Sequence, residues 1–338
     1  MVLVNSGKDY KSLEKGNIPV YGTGGYITSV SKFLSNQDAI GLGRKGTINK
    51  PYILKAPFWT VDTLFYLTLK PENILTFIYS LIQKINWLKY DESTGLPSLS
   101  KKNIENILVY LTKLDEQQKI GKLIVKLDKF ITLQQRKLEQ LKQLKKAILQ
   151  IIASNRLLLH TKKVDMIKVR VADIYKITRG NVLSRSEISN VRTSKYPYPV
   201  YSSQTKNHGL MGYYKDFLFK NAITWTTDGA NAGTVKYRKG RFYSTNVNGV
   251  LLSSEGLANQ LTAELLNLVA FKYVSHVGNP KLMNNTMGEI IFNIPRSVET
   301  QQYFSGCIES VIDLIGKQEK ATDKLNKLKK YLLQKLFI

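Results

Sequence analysis

Ile18-Pro19-Val20-Tyr21-Gly22 and Tyr198-Pro199-Val200-Tyr201-Ser202 are two copies of one strand signal, and that pair decides the fold. From each copy the chain runs on in step. Ala39-Ile40 matches Ala222-Ile223, and Gly46-Thr47 matches Gly233-Thr234. Phe58-Trp59-Thr60 matches Phe242-Tyr243-Ser244, and Gly95-Leu96-Pro97-Ser98-Leu99 matches Gly278-Asn279-Pro280-Lys281-Leu282. Short β-rich runs broken by Gly, Asn and Asp read as strands and turns. Ile223–Thr227 is a strand entering the Asp228-Gly229 turn. Lys236–Tyr243 is a basic-aromatic run that turns at Gly240. Helical patterns follow at Ile74–Lys89 and Ala258–Val274.

Each copy then enters a long segment without Pro, opened by Glu116-Gln117-Gln118 and by Thr300-Gln301-Gln302. One shift superposes Leu127, Ile131, Gln134, Leu138, Leu141, Lys145 and Ile148 on Val311, Ile315, Gln318, Thr322, Leu325, Lys329 and Leu332. Steps of four and three make a heptad seam, and matched polar interruptions in a seam fix register between paired helices. The sequence therefore predicts a duplicated unit, a mixed β-rich domain followed by a helix of roughly 40 residues, with the two helices paired. Such a helix spans about 60 Å, enough to hold the two globular domains apart.

Composition narrows the function. The chain has 338 residues, and its 50 Lys and Arg against 25 Asp and Glu give a formal charge of +25. That length suits two domains, and that charge suits a polyanionic partner. The single Cys307 allows no internal disulfide, which fits a reducing cytoplasm. The apolar stretch Ile74–Leu88 is broken by Gln83, Lys84 and Asn86, and MVLVNSGKDYK does not read as a signal peptide. His160, His208 and His276 are scattered, so no metal site is expected. Gly41–Thr47 mimics a phosphate loop without its Lys-Thr or Lys-Ser ending. No Asn-Pro-Pro-Tyr or Asp-Pro-Pro-Tyr run of the kind used by adenine methyltransferases is present.

The ordered set resembles one family, the specificity subunit of type I restriction–modification systems, over essentially the whole chain. In the first copy the resemblance rests on Pro19–Gly22, Gly43-Arg44-Lys45-Gly46-Thr47, Pro97-Ser98-Leu99, Glu116–Ile120 and Leu141–Gln150. In the second it rests on Val171-Ala172-Asp173-Ile174, Pro199-Val200-Tyr201, Gly233-Thr234 and Leu325–Phe337. It implies an α+β fold: two β-rich target recognition domains, each followed by a long helix, the helices forming an antiparallel coiled coil. The expected segments are a first recognition domain at 1–112, a central helix at 113–160, a second recognition domain at 161–296 and a C-terminal helix at 297–338. The implied role is non-catalytic. Each domain reads one half of a bipartite duplex DNA site, and the helices set the spacer and dock two methyltransferase subunits. Translocase-nuclease subunits join them. This chain itself would bind no cofactor; the partners would use S-adenosylmethionine, ATP and Mg. Aligning Pro19 with Pro199 leaves Met1 opposite about Asn181, so the first domain is expected to lack the opening segment that the second has at Ile167–Gly180.

Candidate DNA contacts come from side-chain chemistry alone. Arg44 suits a guanine edge or a phosphate, with Lys45 and Lys50 beside it, and Tyr21 and Thr23 lie in the preceding Gly-rich loop. In the second copy, Ser202, Gln204, Lys206 and Asn207 form one candidate loop, and Thr226, Asp228 and Asn231 another. Gln204 or Asn207 suits adenine. Asp228 suits cytosine, or serves only its turn. Lys236, Arg238 and Arg241 read as phosphate contacts. Leu127, Ile131, Leu138, Leu141, Ile148, Val311, Ile315, Leu325 and Leu332 read as the helix-pairing set. Lys142, Lys145 and Lys146 read as an outer face that meets DNA or the methyltransferase. Other readings are a specificity subunit of another methyltransferase-linked system, a silent recombination cassette, or a structural coiled-coil protein with incidental charge.

Overall fold

The structure is a computed structural model that describes residues 1–154, 158–159, 162–203 and 206–337; of Leu158, Leu159, Lys162 and Lys206 it describes the backbone only. The chain forms two compact units, one of Met1–Lys137 with Glu319–Ile338 and one of Leu138–Gln318. These boundaries differ from a split into domains and helices, because each long helix contributes one part to each unit.

In the first unit, β1 (Val2–Ser6), β4 (Ala39–Gly43), β5 (Tyr52–Leu54) and β7 (Leu64–Leu69) make a sheet of order β1-β7-β4-β5. β2 (Lys15–Gly22), β3 (Gly25–Val30) and β6 (Trp59–Thr60) make a second, β3-β2-β6. α1 (Leu75–Lys84) and α2 (Lys101–Glu105) follow, then α3 (Leu114–Ala153). In the second unit come the short β8 (Leu158–Leu159) and β9 (Lys162–Lys163). β10 (Met166–Arg170), the turn of helix α4 (Val171–Ile174) and β11 (Lys176–Arg179) are next. β12 (Tyr198–Tyr201), β13 (Leu210–Tyr214), β14 (Phe219–Thr226), β15 (Val235–Ser244) and β16 (Asn248–Leu252) complete a six-stranded sheet, β11-β16-β14-β15-β12-β13. α5 (Gln260–Ala270), α6 (Asn284–Gly288), β17 (Ile291–Pro295) and α7 (Val298–Leu336) close the chain. The sheets are mainly antiparallel, as the alternating strand and turn signals predict.

Pairing registers show the duplication directly. Val20 pairs in parallel with Trp59 and Tyr21 with Thr60; Val200 pairs in parallel with Tyr243 and Tyr201 with Ser244. Ile40 faces Leu67 as Ile223 faces Leu251. Gly46 N–H donates to the Pro97 carbonyl (2.8 Å), and Gly229 N–H donates to the Pro280 carbonyl (2.9 Å). Gly46 and Gly229 both have positive φ, 85° and 86°. The counterpart of Gly46 is therefore Gly229, not Gly233 as the sequence match suggested. Gly240 is not a turn either. β15 runs through it as a bulge, with Gly240 at φ 76° and Asn221 at φ 48° on the facing strand, whose Oδ1 accepts from Gly240 N–H at 2.7 Å.

The expectation for the first domain's start is corrected in part. β1 pairs with β7 from Val2↔Leu69 to Ser6↔Phe65, as β11 pairs with β16 from Lys176↔Leu252 to Arg179↔Gly249. Gly7 N–H reaches the Leu64 carbonyl as Gly180 N–H reaches that of Asn248. Val2–Gly7 thus fills the place of 175–180. Among the described residues, nothing in the first unit fills the place of β10 and α4.

The matched Gln residues fasten each domain to its long helix. Gln117 Nε2 donates to the Thr112 carbonyl (2.9 Å), and its Oε1 accepts from the N–H of Ile74, the N-cap of α1. Gln301 Nε2 donates to the Pro295 carbonyl (2.7 Å), and its Oε1 accepts from Asn259, the N-cap of α5. Both are buried; each amide joins the segment entering its long helix to the start of another helix. Within the first unit, Ile120 and Ile124 share a core with Phe337, and Lys329 meets Asp128 at 2.6 Å and Gln83 at 2.6 Å. Numbers rise along α3 as they fall along α7, so the pairing is antiparallel. Within the second unit, Leu149 and Ile152 share a core with Phe304 and Ile308. Of the pairing set, Ile131 is buried, and Leu127, Leu138, Leu141, Ile148, Val311, Ile315, Leu325 and Leu332 are half-buried. Lys145 does not belong to an outer face: it is half-buried and paired with Glu264 at 2.5 Å. Lys146 is exposed.

Candidate nucleic-acid interface

In the second unit, the ends of β12, β14, β15 and β16 converge on a shallow polar pit. Ser202, Thr224, Thr226, Lys236, Arg238 and Asn248 are among its walls, with Ser203, Asn231 and Thr234 at its rim. Arg238 organises it. The guanidinium lies 3.7 Å from the Tyr201 ring centroid. Its Nε donates to Thr224 Oγ1 (3.1 Å), and its Nη1 donates to the His208 carbonyl (2.9 Å). His208 belongs to a turn in which Asn207 (φ 49°), His208 (φ 56°) and Gly209 (φ 88°) are all left-handed. That reversal aims the His208 carbonyl at the guanidinium. Arg238 is only 7% exposed, and burial lowers its pKa to about 10, so it stays a cation at neutral pH. The expected phosphate contact at Arg238 is corrected: the side chain faces inward and holds the loop that carries Ser202 and Asn207.

Lys236, two residues away on β15, is half-buried; burial first and Arg238 second hold its ammonium pKa below the usual lysine value. A partly dehydrated cation of this kind gains more from an incoming anion than a fully solvated one. Arg241 is exposed and lies 4.8 Å over the Phe217 ring, free to reach outward. Asn207 and Asn231 are exposed, Ser202 and Asp228 half-buried, and Thr226 buried in the pit wall. Asp228 sits at an isolated bridge with Lys281 in the loop that Gly229 turns. Lys206 belongs to the described turn by its backbone, and Gln204 lies outside the described residues.

In the first unit the same backbone positions carry other chemistry. Tyr52 stands where Lys236 stands and Leu54 where Arg238 stands, since β4–β5 pairs Gly41↔Tyr52 and Ala39↔Leu54 while β14–β15 pairs Thr224↔Lys236 and Ala222↔Arg238. Gly41 and Gly43 replace Thr224 and Thr226. Tyr52 Oη donates to the Gly22 carbonyl (2.5 Å), which anchors the β2–β3 hairpin as Arg238 anchors the corresponding loop. Tyr21 packs edge-on against Tyr26 (6.4 Å) and near Tyr52 (6.2 Å), and Tyr26 is exposed. Thr23 is half-buried in this hairpin turn. Arg44 lies 5.7 Å over Phe65, and Lys45 and Lys50 are exposed. The structure therefore brings Tyr21 and Thr23 together with Tyr26 and Tyr52, two residues not foreseen from sequence. Tyr52 was findable: the repeat aligns it with Lys236.

No described helix is long and apolar enough to cross a membrane. Among the described residues, no group of three or more His, Cys, Asp or Glu is placed to hold a metal.

One frame built twice, with unlike residues at matched strand positions and a long helix after each copy, defines the class: a duplicated two-unit scaffold. The sequence profile of the type I restriction modification DNA specificity domain matches residues 4–143 and 163–329, and the chain belongs to that family. It is 43% identical over 124 residues to the N-terminus of a putative type I specificity subunit from Mycoplasma pneumoniae, covering 36% of this chain and 65% of that one. A type I restriction enzyme specificity subunit from the same organism is 34% identical over 159 residues, 46% of this chain and 44% of that one. The chain thus spans less than two thirds of the length of these relatives. In fold it is similar to the crystal structure of a type I restriction–modification S subunit from M. genitalium, with a TM-score of 0.78 at 16% identity, covering 100% of this chain and 94% of that one.

Proposed function

We propose that this chain is the non-catalytic DNA sequence-recognition subunit of a type I restriction–modification complex. Each unit reads one half of a bipartite duplex site. The observation that carries this reading is the unlike chemistry at matched positions: Thr224, Thr226, Lys236 and Arg238 in one unit, Gly41, Gly43, Tyr52 and Leu54 in the other. One frame carrying unlike residues at these positions supports a scaffold copied to present two different surfaces. The charge of +25 supports a polyanionic target. The long helices act as spacer and as the docking surface for two methyltransferase subunits, which translocase-nuclease subunits join. S-adenosylmethionine, ATP and Mg belong to those partners, and the complex works in the cytoplasm. Selection from a random duplex library by the chain together with its methyltransferase tests this. The expected result is two fixed half-sites at constant spacing; no enrichment over input would overturn it.

A further inference from the structure

The hairpin of β2 and β3 lies at the end of the first unit where β4 stops and β5 starts. Tyr52, the first residue of β5, bonds to the hairpin at Gly22. Arg44 and Lys45 follow the last residue of β4, and Lys50 lies just ahead of β5, so these cations share that end with the hairpin tip. The pair Gly22↔Gly25 closes the tip around Thr23 and Gly24. A Cβ added at Gly24 or Gly25 would meet no atom within 4 Å, so the tip stands clear of the unit. Behind it both units carry the same bulge. Val20↔Thr28 gives way to Tyr21↔Tyr26, as Val200↔Gly212 gives way to Tyr201↔Leu210. Tyr26 therefore stands where Leu210 stands, but Leu210 is half-buried and Tyr26 is 64% exposed. Its ring is braced rather than loose: Tyr21 packs edge-on against it at 6.4 Å, and its hydroxyl shares a hydrogen bond with Ser29 Oγ (3.1 Å). The Tyr52 hydroxyl is likewise satisfied within the chain, by the Gly22 carbonyl. What this end presents beside its cations is apolar: the Tyr26 ring, with Ile27 next to it at 47% exposure.

Resting on the proposed recognition role, we infer that Tyr26 is a specificity-determining residue that reads a thymine of the first unit's half-site through its 5-methyl group. Base edges in the major groove offer donors and acceptors, and one apolar feature, the thymine methyl. A ring whose hydroxyl is already bonded meets a methyl without stranding a polar group. Pressed against an amino or carbonyl edge, the same ring would leave that group dehydrated and unpaired. Cytosine at this place lacks the methyl and is disfavoured. Lys45 and Lys50, both exposed at the same end, suit the flanking phosphates and hold the duplex against the ring. The two units then read by different chemistry: hydrogen-bonding side chains line the second unit's pit, and an apolar face serves the first.

The test uses the full chain with its methyltransferase and the duplex enriched by selection from a random library. Each thymine of that duplex is replaced in turn by deoxyuridine, which removes the methyl and nothing else, and affinity is read by fluorescence anisotropy. Loss of the methyl at one thymine is expected to weaken binding about fourfold, the worth of one buried methyl. In Tyr26→Ala that difference is expected to vanish, the thymine and deoxyuridine duplexes binding equally. Tyr26→Phe, which keeps the ring and drops the hydroxyl, is expected to retain it. Equal binding of every deoxyuridine duplex by the unsubstituted chain would overturn the inference, as would a methyl dependence that persists unchanged in Tyr26→Ala. Weakening by Tyr26→Ala that is the same on selected and random duplex would overturn it too, by making the ring a wedge between base pairs. Enrichment of two half-sites without methyl dependence defeats this inference alone; a selection that enriches nothing defeats the recognition role with it.

Discussion

Replacing Arg238 by Met separates a framework cation from a phosphate contact. Hydrogen bonds from a charged donor contribute about 1.5–3 kcal/mol each, and a dehydrated cation–π contact about 2 kcal/mol. Arg238 makes two such bonds, to Thr224 and to the His208 carbonyl, and one ring contact at 3.7 Å. Burying the charge costs several kcal/mol of that gain. Met refills most of the volume but leaves the His208 carbonyl without its donor. The net expected loss is about 2–4 kcal/mol in the second unit, read by urea unfolding followed through Trp225, with hydrogen exchange at residues 198–210 locating it. The matching DNA experiment uses random-sequence duplex across a salt series. Each phosphate contact adds about 0.9 to the slope of log K against log salt. Arg238→Met is expected to leave that slope unchanged, whereas Arg241→Ala, at an exposed position, lowers it by about 1 with unfolding unaffected. A stable Arg238→Met chain whose slope falls by about 1 would refute the framework assignment.

Three further outcomes follow from the same physics. Gln301→Leu strands the buried Pro295 carbonyl and is expected to cost about 2–3 kcal/mol by urea unfolding. Tyr175→Phe removes a buried bond to the Leu257 carbonyl (2.8 Å) and is expected to cost about 1 kcal/mol at pH 7. Burial raises the Tyr175 pKa in the folded state, so wild-type stability is full below about pH 10 and falls above it as the unfolded chain ionises. The gap between the two chains should therefore narrow in alkali, measured by melts across pH. Gly43→Ala places a Cβ 2.0 Å from the Thr47 carbonyl oxygen and is expected to lower first-unit stability by about 1–3 kcal/mol.

Much of the fold was legible because duplication prints each signal twice. The Pro-Val-Tyr strand, the aromatic-Thr/Ser strand and the heptad seam each recur with matched spacing, and each has a matched pairing in space. Two things were hidden for physical reasons. Val2–Ser6 shares no motif with Lys176–Arg179; what makes them equivalent is the strand each lies beside. Their offset from the rest of the repeat comes from the longer connection between β11 and β12. Arg238 looked like a phosphate contact because sequence gives charge and not direction. Only the ring of Tyr201 and the left-handed turn at Asn207 and His208 reveal that it points inward. Candidate base contacts are legible as chemistry alone, since the walls that differ between the units are the positions that no shared motif marks.

The central claim is that two units with unlike side chains on one frame read two unlike half-sites. Whole-genome adenine-methylation mapping, with this gene present, deleted, and carrying the second unit's pit residues altered at Lys236 and Asn231, tests it most directly. The account expects one bipartite motif to lose methylation on deletion and only one of its halves to change or relax in the altered strain. Methylation that is the same in all three strains would contradict it.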